Sequence, residues 1–390
     1  MAMRRFLQNA IVIGGALLFI LVILEIGVRV THLAADLPPP AMDMEAQLKG
    51  ARQFDPVLET SYRPNGHAEV RSPYGEFDVV YDFNELGLRD GPIVRRPDDP
   101  ARRVLVLGNS FVEGWGVDVK DTFLQVAQSV LNRAPDSTDR PVRLINAGIA
   151  GFGAAQSYLL ARQLIEKVKP DAVVLVFIGT MVNADQNFLS LARLDANGLA
   201  EGLNPDAFLK SGDDPEQQSA VWSDALLHPI SEYSALVRLF YVRSLNRRAL
   251  DRMHPGDPKT DLLAAYRTPA AAVTALYEPT FRHIAALRAL AEAKGITFSV
   301  VRLPMPFELD GTAWDPGRRG YGLAEGQTLP EVDRMQLDAF CAENHIPCPS
   351  ADEALAVDAA KLFFHYDFHL NPDGNRAVGE WFATHVPIKR

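Results

Sequence analysis

Four short apolar runs, separated by helical patterns, most constrain what this chain can fold into. They are Val104–Leu107, Val142–Asn146, Ala172–Ile178 and Thr297–Leu303. The third is apolar at every position and stops at Gly179. A strand with one wet face alternates polar and apolar residues, whereas a continuous Val, Leu and Ile run suits a strand covered on both faces. Between the runs, Asp121 to Arg133 sets Phe123, Leu124, Val126, Ala127, Val130 and Leu131 on one side of a helix, and Ala154 to Val168 stops before Pro170. Thr268 and Pro269 open a further helix that Pro279 is expected to interrupt, resuming at Thr280 and ending at Gly295. Helices over Glu331 to Asn344 and over residues 372–386 follow, with a short fifth strand at best after Ile346 and Pro347. Alternation of this kind predicts the α/β class: a doubly wound parallel sheet of about five strands, flanked by helices.

The first thirty residues obey different rules. Arg4 and Arg5 precede an apolar run from Ala10 to Leu24, which continues through Glu25 to Val28. Counted that far, it approaches the ~20 residues a bilayer core requires. Glu25 falls at the outer edge, with Arg29 one turn later to pair with it. Two arginines before the run, and no comparable cluster just after it, put the N-terminus in the cytoplasm and the body outside. A cleaved signal peptide with Leu33-Ala34-Ala35 as its weak cleavage site is the competing reading. The expected organisation is residues 1–32 as cytoplasmic tip and transmembrane anchor, and 33–100 as a Pro-rich linker and small strand-rich extension. Residues 101–390 form an α/β domain with an insertion at about 185–265.

Composition removes several classes. The 390 residues are 47% hydrophobic and 23% charged, an ordinary globular balance. A net charge of −10 argues against binding a phosphate backbone, so no nucleic-acid partner is expected. There is no Gly-rich phosphate loop and no metal-binding cysteine pair. Cys341 and Cys348 either bridge or stand as two small hydrophobes; spacing alone does not choose.

The chemistry gathers at strand ends. Ser110 follows the first run directly, in Leu107-Gly108-Asn109-Ser110-Phe111, at the carboxyl edge where open α/β sheets place ligands. A serine hydroxyl is a weak nucleophile until a base takes its proton and an acid orients that base. Asp367 and His369, two apart just before the last helix, offer both from one loop. The bland readings are a helix-capping Ser110 and a packed His369. His365 and His369 with Asp367 could be read as a metal cluster, but His-x3-His is a metal pair only on a helix, which Pro372 and the aromatics argue against. No third ligand stands at a diagnostic spacing, so no metal and no organic cofactor is expected.

These segments resemble the SGNH hydrolases, also called GDSL-type esterases, over roughly residues 76–386. Gly108-Asn109-Ser110 stands for the family's Gly-Asp-Ser, Gly151 for the glycine of its second block, and Asp367 with His369 for its last. The helix ending Leu-Glu-Ile-Gly-Val-Arg and the segment Asn84 to Asp90 resemble the family's membrane-anchored bacterial branch. The resemblance implies Ser110, His369 and Asp367 as triad, and backbone N–H groups of Ser110 and Gly151 in the oxyanion hole. It also implies an Asn just after the third strand. Here that position holds Thr180 or Met181, and Asn183 is the candidate asparagine for the oxyanion hole, reaching it only if the loop is rebuilt. The expected function is a membrane-anchored serine esterase that cleaves or transfers acyl esters, of acetyl type, on envelope or exported polysaccharide or on lipid-linked substrates. The expected location is the inner membrane, single-pass, with the catalytic domain periplasmic or extracellular. The rival from another class is a catalytically weakened SGNH-fold binding or assembly subunit at the membrane.

Overall fold

The computed structural model describes residues 2–31, 47–72, 75–93, 100–133, 140–207, 230–231, 233–241 and 261–388. The Pro-rich stretch at 36–40, the alternative cleavage site at 33–35 and most of the charged linker at 92–100 lie outside them. So does most of the expected insertion, residues 208–229, 232 and 242–260.

A four-stranded parallel sheet carries the fold. Its strands are β5 (Arg102–Gly108), β6 (Val142–Gly148), β7 (Ala172–Phe177) and β10 (Thr297–Arg302), in the spatial order β10-β7-β5-β6. Between the last two in sequence, β8 (Ala192–Leu194) and β9 (Ala200–Leu203) form a small antiparallel pair of their own. Every residue of β7 is buried, as is every residue of β5 after Arg102. That is the two-sided cover the apolar runs called for. Helices α3 (Phe123–Arg133) and α4 (Ala154–Val168) make the crossovers, and α6 (Ala270–Glu292) leads into β10, with α7 (Val332–Glu343) after it. The chain starts at β5, winds out to β6, then returns across β5 to β7. β5 is therefore the point at which the winding reverses, and its carboxyl end opens a crevice. The short fifth strand survives as a single parallel bridge between Arg302 and Ser350.

One expectation needs correcting. Pro279 lies inside α6 and does not interrupt it. The imino acid forgoes one hydrogen bond, to the carbonyl of Ala275. Ala275 is exposed, so water can serve that carbonyl. Meanwhile Val273, Tyr277, Phe281, Ile284 and Leu287 keep one buried face running through the proline. Burying a Leu, Ile or Phe side chain is worth about 1.5–3 kcal/mol, so several together outweigh the local cost.

The extension before the sheet is two antiparallel hairpins, β1 (Arg52–Asp55) with β2 (Glu59–Tyr62) and β3 (His67–Arg71) with β4 (Asp78–Asp82). Its buried residues join the same core as the sheet. Arg89 anchors it. This buried guanidinium lies 3.6 Å from the Tyr81 ring centroid and donates to the carbonyls of Gly114 and, at 2.7 Å, Val117. Asp90 accepts from Arg143 at 2.7 Å and from the Asn146 N–H at 3.0 Å.

At the other end of the chain, α1 (Ala2–Val30) contains a span, Ile11–Val30, long and apolar enough to cross a membrane, with mean hydropathy 2.8. The expected Glu25–Arg29 pair closes at 2.7 Å. Cys341 and Cys348 stand as free thiols.

Candidate active site

The end of β5 turns into α2 (Ser110–Glu113), a single helical turn. Asn109, not Ser110, caps it: the Asn109 carbonyl oxygen Oδ1 accepts the Phe111 N–H at 3.2 Å. The serine hydroxyl is thereby left for other work. Ser110 Oγ lies 2.6 Å from His369 Nε2.

His369 comes from the loop before α8 (Pro372–His385), 259 residues away. Its Nδ1 bonds Asp367 Oδ1, which also accepts the His369 N–H at 2.9 Å. Asp367 Oδ2 accepts the Trp115 indole N–H at 3.0 Å. Burial alone would raise the Asp367 carboxyl. The facing His369 ring, with the His369 and Trp115 hydrogen bonds, outweighs it and holds the group below the ordinary aspartate value. The imidazole is packed among Phe368, Phe111 and Trp115, at centroid distances of 4.5, 4.6 and 5.6 Å.

The loop that carries Asp367 and His369 is pinned at both ends. Asn371 caps α8 by accepting the Asp373 and Gly374 N–H groups at 3.0 Å each, with Pro372 at the first helical position. Asn375 donates to the Leu370 carbonyl at 3.0 Å. Upstream, the Glu76 carboxylate accepts three consecutive backbone N–H groups, from His365 at 2.6 Å, Tyr366 at 3.0 Å and Asp367 at 3.2 Å. Burial, opposed by those three donors, leaves Glu76 above the ordinary glutamate value.

Gly151 sits in the loop after β6 with φ +85°, a conformation L residues rarely adopt. Its N–H has no partner among the described residues, and the Ser110 N–H opens a helix, where none is available within the helix. The loop rests on Glu113, a fully buried carboxylate at the end of α2. Glu113 accepts the Ala150 N–H at 2.6 Å and the Tyr62 hydroxyl at 3.0 Å. A side chain at Gly148 would lie 2.2 Å from the Glu113 nitrogen, so only glycine lets β6 pass this close. Asp185, from helix α5 (Thr180–Leu191), holds the far side of the loop by accepting the Ala154 and Ala155 N–H groups at 3.1 and 2.9 Å.

The third strand's end differs from the sequence expectation. Thr180 and Asn183 both lie in the first turn of α5. The Asn183 amide donates to the Asp261 carbonyl at 2.8 Å. Thr180 Oγ1 instead accepts the Asn109 amide at 3.0 Å, which puts its hydroxyl beside the Ser110 turn. The structure thus brings Ser110, His369 and Asp367 together and engages Asn183 elsewhere. Sequence reasoning missed Glu76, Glu113 and Trp115. Glu113 and Trp115, three and five residues after Ser110, had a local signal in their spacing; Glu76 had none.

No family model and no curated protein matches the chain. Similar solved structures include an acetyl xylan esterase at 14% identity and TM-score 0.36, over 72% of this chain and 99% of that one. They also include a carbohydrate acetylesterase from Sinorhizobium meliloti at 11% and 0.35, over 73% and 97%. At these values the likenesses say nothing about chemistry. A GDSL-like lipase from Bacteroides thetaiotaomicron is also among them, at 16% identity and TM-score 0.33 over 73% of this chain and 88% of that one.

Proposed function

We propose that this chain is an SGNH-type serine esterase or acyltransferase, anchored in the inner membrane by α1, with its catalytic domain on the periplasmic side. The observation that carries the reading is the 2.6 Å approach of Ser110 Oγ to His369 Nε2, with Asp367 on the far side of the ring.

Ser110 Oγ attacks the acyl carbonyl while His369 Nε2 takes its proton. Asp367, held ionised, stabilises the imidazolium and fixes its orientation. The backbone N–H groups of Ser110 and Gly151 donate to the oxyanion. The Thr180 hydroxyl adds a third donor, its oxygen already accepting from Asn109 and its proton free to point at the site. Collapse returns the proton from His369 to the departing alcohol and leaves acyl-Ser110. Water, or a sugar hydroxyl, then takes the acyl group with His369 as base. Acetyl esters on envelope or exported glycans suit the periplasmic reading, as do lipid-linked acyl esters.

The test is covalent. A fluorophosphonate probe should label the wild type and not Ser110→Ala, and p-nitrophenyl acetate should be hydrolysed. Labelling without hydrolysis favours transfer over hydrolysis. No Ser110-dependent labelling and no hydrolysis of any short acyl ester would sink the enzyme reading and leave the binding-subunit alternative.

A further inference from the structure

Glu25 lies five residues before the end of the apolar span Ile11–Val30, and the insertion meets it there. Its carboxylate accepts the Ser234 hydroxyl at 2.8 Å and the N–H groups of Ala235 and Leu236 at 2.9 Å each. Arg29 donates to Glu25 at 2.7 Å and to the Tyr233 carbonyl at 2.8 Å. Val28 and Leu239 bury one another, with Ala235 and Leu236 packed alongside. Residues 235–241 are helical.

A carboxylate within a membrane span is costly unless charge and hydrogen bonds compensate it. Here the compensation comes from Arg29 and from a segment more than two hundred residues downstream. Five residues of helix are about 7.5 Å, so the contact lies that far below the end of the span. Interfacial helices sit about 5–10 Å into the headgroup boundary. The segment also turns large side chains outward: Ile230 is 45% exposed, Phe240 66% and Tyr233 80%. Aromatic residues at that depth suit the interface belt.

We propose that residues 230–231 and 233–241 belong to a second membrane-contacting element, lying in the lipid interface and docked on α1 through Glu25. The catalytic domain is then held at a fixed height over the lipid surface by two contacts. The proposal rests on reading Ile11–Val30 as a transmembrane span.

The full-length protein, in a Cys341→Ser/Cys348→Ser background checked for retained esterase activity, is reconstituted into phosphatidylethanolamine–phosphatidylglycerol vesicles. An environment-sensitive fluorophore is attached at Phe240→Cys, at Ile20→Cys inside the span, or at Met335→Cys on the main body. Brominated lipid should quench the first two and not the third. A Val28→Cys/Leu239→Cys pair should cross-link, and adding Glu25→Ala should lower the initial cross-linking rate by up to about fivefold, as a fivefold weaker docking constant from loss of roughly 1 kcal/mol of net hydrogen bonding implies. Quenching at residue 20 without quenching at 240 overturns the second membrane contact and leaves the anchor, and absence of the 28–239 cross-link overturns the docking. Loss of quenching at both sites overturns the two together. Cross-linking indifferent to Glu25→Ala removes the assigned role of Glu25.

Discussion

Asn109 donates its side-chain amide to the hydroxyl of Thr180 at 3.0 Å, tying the Ser110 turn to the first residue of α5. The same Asn109 caps α2 through its other side-chain atom. One residue therefore orients Ser110 and the hydroxyl opposite it.

If the Thr180 hydroxyl completes the oxyanion hole, Thr180→Val should lower kcat by about 10²-fold with little change in KM, because one donor in such a hole is worth that much. Thr180→Ser should retain most of the rate. Asn183→Ala should leave kcat near wild type and lower stability by about 1 kcal/mol, the net value of a typical hydrogen bond. Steady-state kinetics with p-nitrophenyl acetate and chemical denaturation read the two effects separately. A kcat loss from Asn183→Ala larger than that from Thr180→Val would reverse the assignment.

Glu76 is expected to act as a positioning residue. It touches neither Ser110 nor the His369 ring, yet it holds three N–H groups of the loop that carries Asp367. Glu76→Ala should lower kcat by roughly 10–100-fold, since small misplacements of a catalytic group cost on that scale, and should leave KM almost unchanged. Hydrogen exchange at Tyr366 and Asp367 should accelerate. Unchanged exchange with reduced kcat would point to some other role for the carboxylate.

The centre of the sheet was legible because β7, and β5 after Arg102, are buried on both faces, and burial of that kind writes itself as unbroken apolar runs. Ser110, Asp367 and His369 were legible because each belongs to a short local pattern at an element boundary. Glu76 was not, because its partner Asp367 is 291 residues away and only the tertiary fold joins them. The choice between Thr180 and Asn183 depended on where α5 begins. A start at Thr180 turns Asn183 toward Asp261, and spacing alone does not reveal a helix start to one residue. Pro279 misled for a related reason: the buried face of α6 overrides the breaker.

Gly151→Ala should separate space from conformation. A methyl group there meets nothing within 4 Å, so no clash is expected. The φ of +85° is the difficulty, and an L residue at such an angle costs about 1–2 kcal/mol. The loop is expected to relieve that strain by turning its N–H away from the site. Thermal unfolding should shift only slightly while kcat falls by an order of magnitude or more. An unchanged kcat would remove the Gly151 N–H from the oxyanion hole.

Glu113 gives a prediction with a sign. It is fully buried, and desolvation raises its carboxyl above the ordinary 4.5 despite Arg52, Arg89, the Ala150 N–H and the Tyr62 hydroxyl. Between the unfolded value and the raised folded value, the native state keeps a proton that the unfolded chain has released. The native state then binds more protons than the unfolded one, so this residue's contribution to stability falls as pH rises through that window. Glu113→Gln keeps the shape and an acceptor for Ala150 but removes the titration. The stability of Glu113→Gln relative to wild type should therefore increase from pH 4 upward and then level off, since other groups titrate alike in both proteins. Glu113→Ala, which strands the Ala150 N–H and the Tyr62 hydroxyl, should cost about 2–6 kcal/mol at pH 4, at 1–3 kcal/mol per unsatisfied buried group, and the cost should narrow as pH rises because alanine does not titrate either. Urea denaturation of the three proteins across pH 4 to 8 measures both effects. A flat or falling difference between Glu113→Gln and wild type would mean that Glu113 is ionised without penalty, held by Arg52 and Arg89 more strongly than burial opposes it.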